Sequence, residues 1–354
     1  MDKGLNEINI KRVYLMMGFS CNFHCKYCLQ TCNEGNLNNK LSDDVINYIH
    51  HLVNIRPNSY NKLQLLFWGG EPLLFLDTIK TIVDIFKDKV EYSIVTNGKL
   101  LNDDIVKYVN DNNITLILSN DGKNTVYTRN ENLLDDDRFI KLFSKIKKRG
   151  IDSVVSAYNQ NYKKLKNYLY NKIGKVSITH EFLLVNWDMP SDLYSFDLEE
   201  YWESLREVSD KAYKDIINGT LSYEVELFLS ILMKIANGVK KDNIPNCSQI
   251  YQNINIDLQG NIYVCHNSTI KVGCINDERH DILKKYEEWL KENIPYTCLK
   301  CNYFELCKGG CPLEKCNKNG KKYTCDMRKI FYQEAILLAD RLNNTFELVD
   351  LEVN

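Results

Sequence analysis

No run of apolar residues in this chain approaches the ~18 needed to span a bilayer, and the opening MDKGLNEINIKR lacks the apolar core of a signal peptide. The expectation is a soluble, cytoplasmic protein without a membrane partner. A basic surplus is missing as well. The 45 Lys and Arg stand against 47 Asp and Glu, a formal net charge of −2, which argues against a nucleic-acid partner. There is no internal repeat and no low-complexity linker. An even cysteine count is also lacking: thirteen cysteines cannot all pair, and in a reducing cytoplasm spaced cysteines read as metal ligands rather than disulfides.

What is present is an ordinary globular composition, 44% hydrophobic and 26% charged over 354 residues. That length allows one large core, or a large domain with a smaller one attached. Up to residue ~215 short apolar runs alternate with amphipathic ones, the pattern of repeated βα units on a parallel sheet. Strands are predicted at 13–17, 64–68, 92–95, 115–118, 153–157 and 177–185, with helices at 42–53, 74–87, 102–110, 137–148 and 162–171. Six units are too few for a closed barrel of eight, so the expected fold is α/β, a partial (β/α)6 TIM-like barrel. Residues 216–245 read as a helical bridge. Residues 246–354 form a Cys-rich module that buries little apolar surface and needs metal staples, ending in a helix near 327–342.

The cysteines fall in two groups. Cys21, Cys25 and Cys28 stand as CX3CX2C just after the first predicted strand. They supply three thiolates where a cubane iron–sulfur cluster needs four, which leaves one iron open much as catalytic metal sites keep an open position. A structural zinc loop is the alternative, with His24 or Cys32 as the fourth ligand. Further polar residues sit where strands give way to loops, the usual place for sites in parallel α/β folds. These are Gly69-Gly70-Glu71, Thr96-Asn97-Gly98 and Ser119-Asn120-Asp121-Gly122, followed by Arg129.

Taken in that order, these motifs resemble the radical S-adenosylmethionine (AdoMet) superfamily. The resemblance implies that the Cys21/Cys25/Cys28 cluster chelates the methionine end of AdoMet, with Tyr27 beside it. It implies that Gly69, Gly70 and Glu71 meet the AdoMet amino group and that Thr96 and Asn97 lie near the ribose. By the same resemblance Ser119 and Asp121 belong to the AdoMet site, and Arg129 pairs with the carboxylate, a bond suited to arginine. Downstream, Cys247, Cys265, Cys298, Cys301, Cys307, Cys311 and Cys325 are similar in spacing to the SPASM extension, which binds two auxiliary [4Fe–4S] clusters. The implied distal set is Cys298, Cys301, Cys307 and Cys325. The implied proximal set is Cys247, Cys265 and Cys311, with either Cys274 or an open, substrate-binding iron completing it. Cys32 and Cys316 are left over as free thiols or packing.

The family layout is that of anaerobic sulfatase-maturing enzymes and peptide maturases. It implies three [4Fe–4S] clusters, AdoMet, a flavodoxin- or ferredoxin-type electron donor and a peptide or small-protein substrate. The implied chemistry is reductive cleavage of AdoMet to a 5′-deoxyadenosyl radical that takes hydrogen from a side chain, giving a thioether or other cross-link, an oxidation or an epimerisation. Where the sulfatase maturases have an aspartate base, this chain has His266, here the candidate base. Glu181, with His180 and Tyr158, is a candidate substrate contact. The first strand begins by about Val13, so an N-terminal leader-binding module is not expected, and a separate leader-binding protein is one way to supply it. The rival readings are a dehydrogenase or rearrangement enzyme for a small molecule, and a non-catalytic iron–sulfur carrier or zinc scaffold.

Overall fold

The computed structural model describes residues 7–32, 40–57, 59–185, 189–238 and 250–352. The predicted alternation of βα units is there. Strands β1 (Arg12–Met16), β2 (Leu63–Trp68), β3 (Val90–Thr96), β4 (Thr115–Ser119), β5 (Arg149–Val155) and β6 (Ser177–Phe182) lead the fold. Between and after them come helices α1 (Asp43–Asn54), α2 (Leu76–Phe86), α3 (Asp103–Asp111), α4 (Thr125–Arg129), α5 (Asp137–Ser144) and α6 (Tyr162–Ile173). Each neighbouring pair from β1 to β5 is parallel and in sequence order. The fold is thus the mixed α/β, parallel-sheet class expected. Period-2 alternation explains the faces: Val13, Leu15, Leu65, Phe67 and Ile94 are fully buried, while the alternating positions carry Arg12, Tyr14, Gln64, Trp68 and Ser119. The helices start where side chains can cap them, Ser42 bonding Val45 N, Asn102 bonding Ile105 N and Asn161 bonding Lys164 N.

The chain divides into two compact units; the division has a break at 246/247, beside the expected boundary there, and none at the expected boundary at 215. The first unit comprises residues 1–120, 125–152 and 247–292. Its cysteine-bearing segment belongs there because β7 (Asn253–Asp257) pairs in parallel with β1, from Arg12↔Asn253 to Met16↔Asp257. The antiparallel strands β8 (Asn261–Tyr263) and β9 (Lys271–Cys274) extend it, followed by helix α9 (Arg279–Glu292). The sequence pattern did not predict these four elements.

The second unit comprises 121–124, 153–246 and 293–354. It holds the end of β5, with Leu183 N bonded to Val155 O at 3.3 Å, and three long helices. These are α7 (Leu198–Ile217), α8 (Tyr223–Ala236) and α11 (Cys325–Glu352), with the short α10 (Phe304–Cys307) before the last. Tyr201, Leu205, Val208 and Ala212 recur at helical spacing along α7 and form one core with Phe228, Ile231, Met327 and Leu338. Helix α8, within the segment read as a bridge, is therefore part of this core. Helix α7 runs through residue 215, so no boundary falls there. Helix α5 stops at Ser144 and β5 starts at Arg149, four residues before the predicted strand, because a strand holding Gly150 and two charged residues shows little apolar pattern.

Two predictions follow from the second unit's packing. Phe228 is fully buried in the three-helix core, so Phe228→Ala is expected to cost about 3–5 kcal/mol, measured by urea denaturation. His180 turns its ring to these helices: Nε2 lies 2.7 Å from Tyr223 Oη, the ring sits edge-on to Tyr162, and burial holds its pKa down at about 3. A folded-state pKa below the unfolded value near 6.5 means stability is intact above ~pH 6.5 and lost as pH falls toward about 3. His180→Gln is expected to flatten that stretch of the stability–pH curve.

Candidate functional site

The three cysteines of the CX3CX2C loop follow β1, and all three are half-buried and outside any disulfide. What places them is the turn after β2. Gly69 has φ +147°, and a Cβ there would stand 2.4 Å from Gly18 O; a Cβ on Gly70 would stand 2.2 Å from Ser20 O. The two glycines let the β2 turn lie flat against residues 18–20, where Gly70 N donates to Gly18 O (2.8 Å) and Glu71 N to Ser20 O (2.9 Å). The close approach is thus to the chain leading into Cys21. The other end of the loop is tied to α4: Lys26 N donates to Thr128 O and Asn130 Nδ2 to His24 O, both at 2.9 Å.

Glu71 is bonded within the protein. Its side chain is wholly buried, and three donors meet its two oxygens. Leu73 N (3.0 Å) and Thr96 Oγ1 (2.6 Å) bond Oε1, and Asn97 N (2.8 Å) bonds Oε2. Burial drives this carboxyl upward, against the pull of the bonds from Thr96, Asn97 and Leu73. Glu71 and Thr96 are therefore tethers joining the ends of β2 and β3. Asn97 is the residue they present: its Nδ2 donates to Asn22 Oδ1 at 2.7 Å and lies 3.8 Å from Cys21 Sγ. The Cys21 thiol is itself pushed up, chiefly by burial and then by Glu71 and Cys28, so a thiolate at this place calls for a cation.

After β4 the Ser-Asn-Asp-Gly turn separates its members. Ser119 closes the strand, half-buried. Asp121 is fully buried and accepts from Val154 N at 3.0 Å. Arg129 ends α4, nearly buried, with its guanidinium 5.2 Å from the centre of the Tyr27 ring. A buried cation stacked beside the cysteine loop suits a carboxylate.

In the second unit Cys298, Cys301, Cys307 and Cys325 line a single cavity with Arg328, Lys321 and Lys329. Cys298 is on the 3-10 turn Tyr296–Lys300, Cys307 ends α10, and Cys325 opens α11. Burial raises all three of these thiols, Cys298 to about 11. Four soft donors and cations in one cavity fit an anionic iron–sulfur cluster. Sequence reasoning missed the brace behind it. Buried Glu314 accepts from Thr324 N and Oγ1 (2.9 and 2.8 Å) and pairs with Arg328 at 3.3 Å.

Of the other expected ligands, Cys247 lies outside the described residues, as does the Cys32 side chain. Cys265 belongs to the first unit and Cys311 to the second. The β8–β9 register sets Cys274 opposite Asn261, and its thiol faces Asp277 Oδ1 at 3.3 Å.

His266, the candidate base, is packed against two aromatic rings. Its ring is stacked on Tyr14 (centroids 4.3 Å, 11°) and edge-on to Trp68 (4.4 Å), and burial followed by the Arg12 charge lowers its pKa to about 3. It is a neutral aromatic wall that accepts a proton poorly. His180 is removed from the substrate contacts by its place among the helices, and Tyr158 Oη bonds Asp192 at 2.6 Å. Glu181, next to His180 on β6, points to the opposite face and is half-buried.

Residues 15–159 match the model of the Radical SAM superfamily. Over 372 residues it is 26% identical to the radical SAM cyclopropyl synthase TigE of Paramaledivibacter caminithermalis, covering 95% of this chain and 75% of that protein. It is 24% identical to the cysteine-type anaerobic sulfatase-maturating enzyme of Clostridium perfringens strain 13, covering 89% and 93%. The fold is similar to that of native anSMEcpe with bound AdoMet and Cp18Cys peptide, at a TM-score of 0.67 and 22% identity, covering 94% and 99%.

Gly70→Ala would drive a Cβ into the backbone before Cys21 and is expected to destabilise the chain by about 2–3 kcal/mol, read from the urea midpoint. Glu71→Gln turns one acceptor into a donor facing Asn97 N or Thr96. It is expected to lower stability by about 1–3 kcal/mol, with Glu71→Asp recovering only part.

Proposed function

We propose that this chain is a radical SAM enzyme of the SPASM type that modifies a side chain of a peptide or small protein. The observation that carries the reading is the Cys21/Cys25/Cys28 loop, seated at its start on Gly69-Gly70 and held at its far end by α4. It offers three thiols rather than four to a [4Fe–4S] cluster, whose fourth iron position takes AdoMet. When bound, cluster and AdoMet supply one-electron chemistry strong enough to break an unactivated C–H bond.

The protein's part is to hold and orient. Tyr27 and Arg129 form one wall, and Arg129 would pair with the AdoMet carboxylate. Asn97 and Ser119 offer polar contacts, while Glu71, Thr96 and Asp121 fix the turns that present them. Glu181 contacts the substrate from β6, and His266 with Tyr14 and Trp68 gives a neutral aromatic wall. Cys298, Cys301, Cys307 and Cys325 hold the distal auxiliary cluster. Cys247, Cys265 and Cys311 would hold the proximal one, with one iron left to the substrate.

The peptide assignment is supported by similarity to a sulfatase-maturating enzyme and to a fold solved with a bound peptide. A flavodoxin- or ferredoxin-type donor supplies the electron, and a separate leader-binding protein would bring the peptide.

Anaerobic reconstitution tests the reading. About twelve irons per chain and 5′-deoxyadenosine formed with dithionite are expected. Cys28→Ala should lose about four irons and all AdoMet cleavage, whereas Cys274→Ser should keep the full iron content. Zinc binding alone, without AdoMet cleavage by the wild type, would sink the proposal.

A further inference from the structure

Residues 296–329 carry seven lysines and one arginine against three carboxylates, in a chain whose formal charge is −2. Part of that charge is internal: Lys308 and Lys322 are buried, and Arg328 is paired with Glu314. The rest reaches the surface, where Lys300, Lys315, Lys318 and Lys321 are exposed. The two surface carboxylates of the stretch have lysines of their own, Glu305 with Lys308 (2.8 Å) and Asp326 with Lys329 (3.7 Å).

Amid these lysines stand two exposed apolar side chains, Tyr296 (69% exposed) and Leu299 (51%). Both lie on the turn Tyr296–Lys300 that bears Cys298. Thr297 Oγ1 donates to Gly320 O at 2.7 Å, which staples this turn to the one carrying Lys318 and Lys321 and makes a single face of the two. The Lys300 ammonium lies 4.8 Å over the Tyr296 ring. Directly behind the face is the cavity lined by Cys298, Cys301, Cys307 and Cys325, with no carboxylate among its lining residues.

A small apolar centre inside a lysine rim is the anatomy of a brief, electrostatically steered contact, and redox encounters occupy the small end of the interface range. The charge selects an acidic partner, and the four thiols behind the turn select a redox one. We propose that this face is the docking surface for an acidic one-electron carrier protein of the flavodoxin or ferredoxin type. The carrier gives up one electron to the cluster held by the four cysteines, and no bond is made or broken. The proposal rests on the cluster assignment of the preceding section.

The test uses the reconstituted enzyme and flavodoxin, with affinity measured anaerobically by calorimetry across a salt series. Lys300→Glu/Lys318→Glu is expected to weaken flavodoxin binding by about tenfold at low salt and to flatten its salt dependence. The milder Lys300→Gln/Lys318→Gln should fall between, and Tyr296→Ser should weaken binding with the salt slope retained. Iron content and dithionite-driven deoxyadenosine formation are followed in each variant. A charge-reversed enzyme that keeps its iron and binds flavodoxin with wild-type affinity and slope would overturn the docking surface alone. A wild type without the expected iron would overturn the cluster assignment and the surface with it.

Discussion

The site depends on one steric constraint, the close approach of the β2 turn to the segment that enters the cysteine loop. Any side chain at residues 69 or 70 would occupy space held by the backbone of residues 18–20. Because both turns close parallel strands that pair directly, from Arg12↔Gln64 to Met16↔Trp68, sheet register delivers them to the same level, and the glycines allow the final contact. The position of Cys21 is therefore set by the sheet through backbone hydrogen bonds, and the loop itself contributes little to it.

Two buried carboxylates then serve as knots. Glu71 gathers donors from the ends of β2 and β3, and Glu314 gathers Thr324 and Arg328 behind the second thiol cavity. Each is out of solvent yet satisfied, which is what makes a buried acid tolerable and its removal costly. The thiols near these knots share an opposite problem. Burial raises Cys21, Cys298, Cys307 and Cys325, so none of them becomes a thiolate easily without a positive partner. A metal cluster resolves that cost, and its binding is in turn coupled to the fold of the segment that holds it.

Much of this was legible in the residues. The βα alternation was visible because buried parallel strands are continuous apolar runs and the helices between them are amphipathic. The cysteine spacing identified four thiols that do line one cavity. Less legible were elements with weak patterns. The β5 strand hides behind Gly150 and its charged neighbours, and β7 with Asn253, Asn255 and Asp257 looks like loop until β1 pairs with it. The surroundings of Glu71, Asp121 and His266 were not legible for one reason: a polar side chain near a site looks the same in sequence whether it faces the ligand or the protein.

The sequence by itself determined the chemistry available, because three thiolates in CX3CX2C, a glycine pair and a cysteine-dense second half are properties of residue type and spacing. Only the tertiary structure decided how those residues are placed. Register set Cys274 opposite Asn261, burial turned Glu71 and Asp121 inward, and the sheet stacked His266 on Tyr14. Strand register and the direction a side chain faces come from pairings between segments far apart in the chain, and no local pattern encodes them.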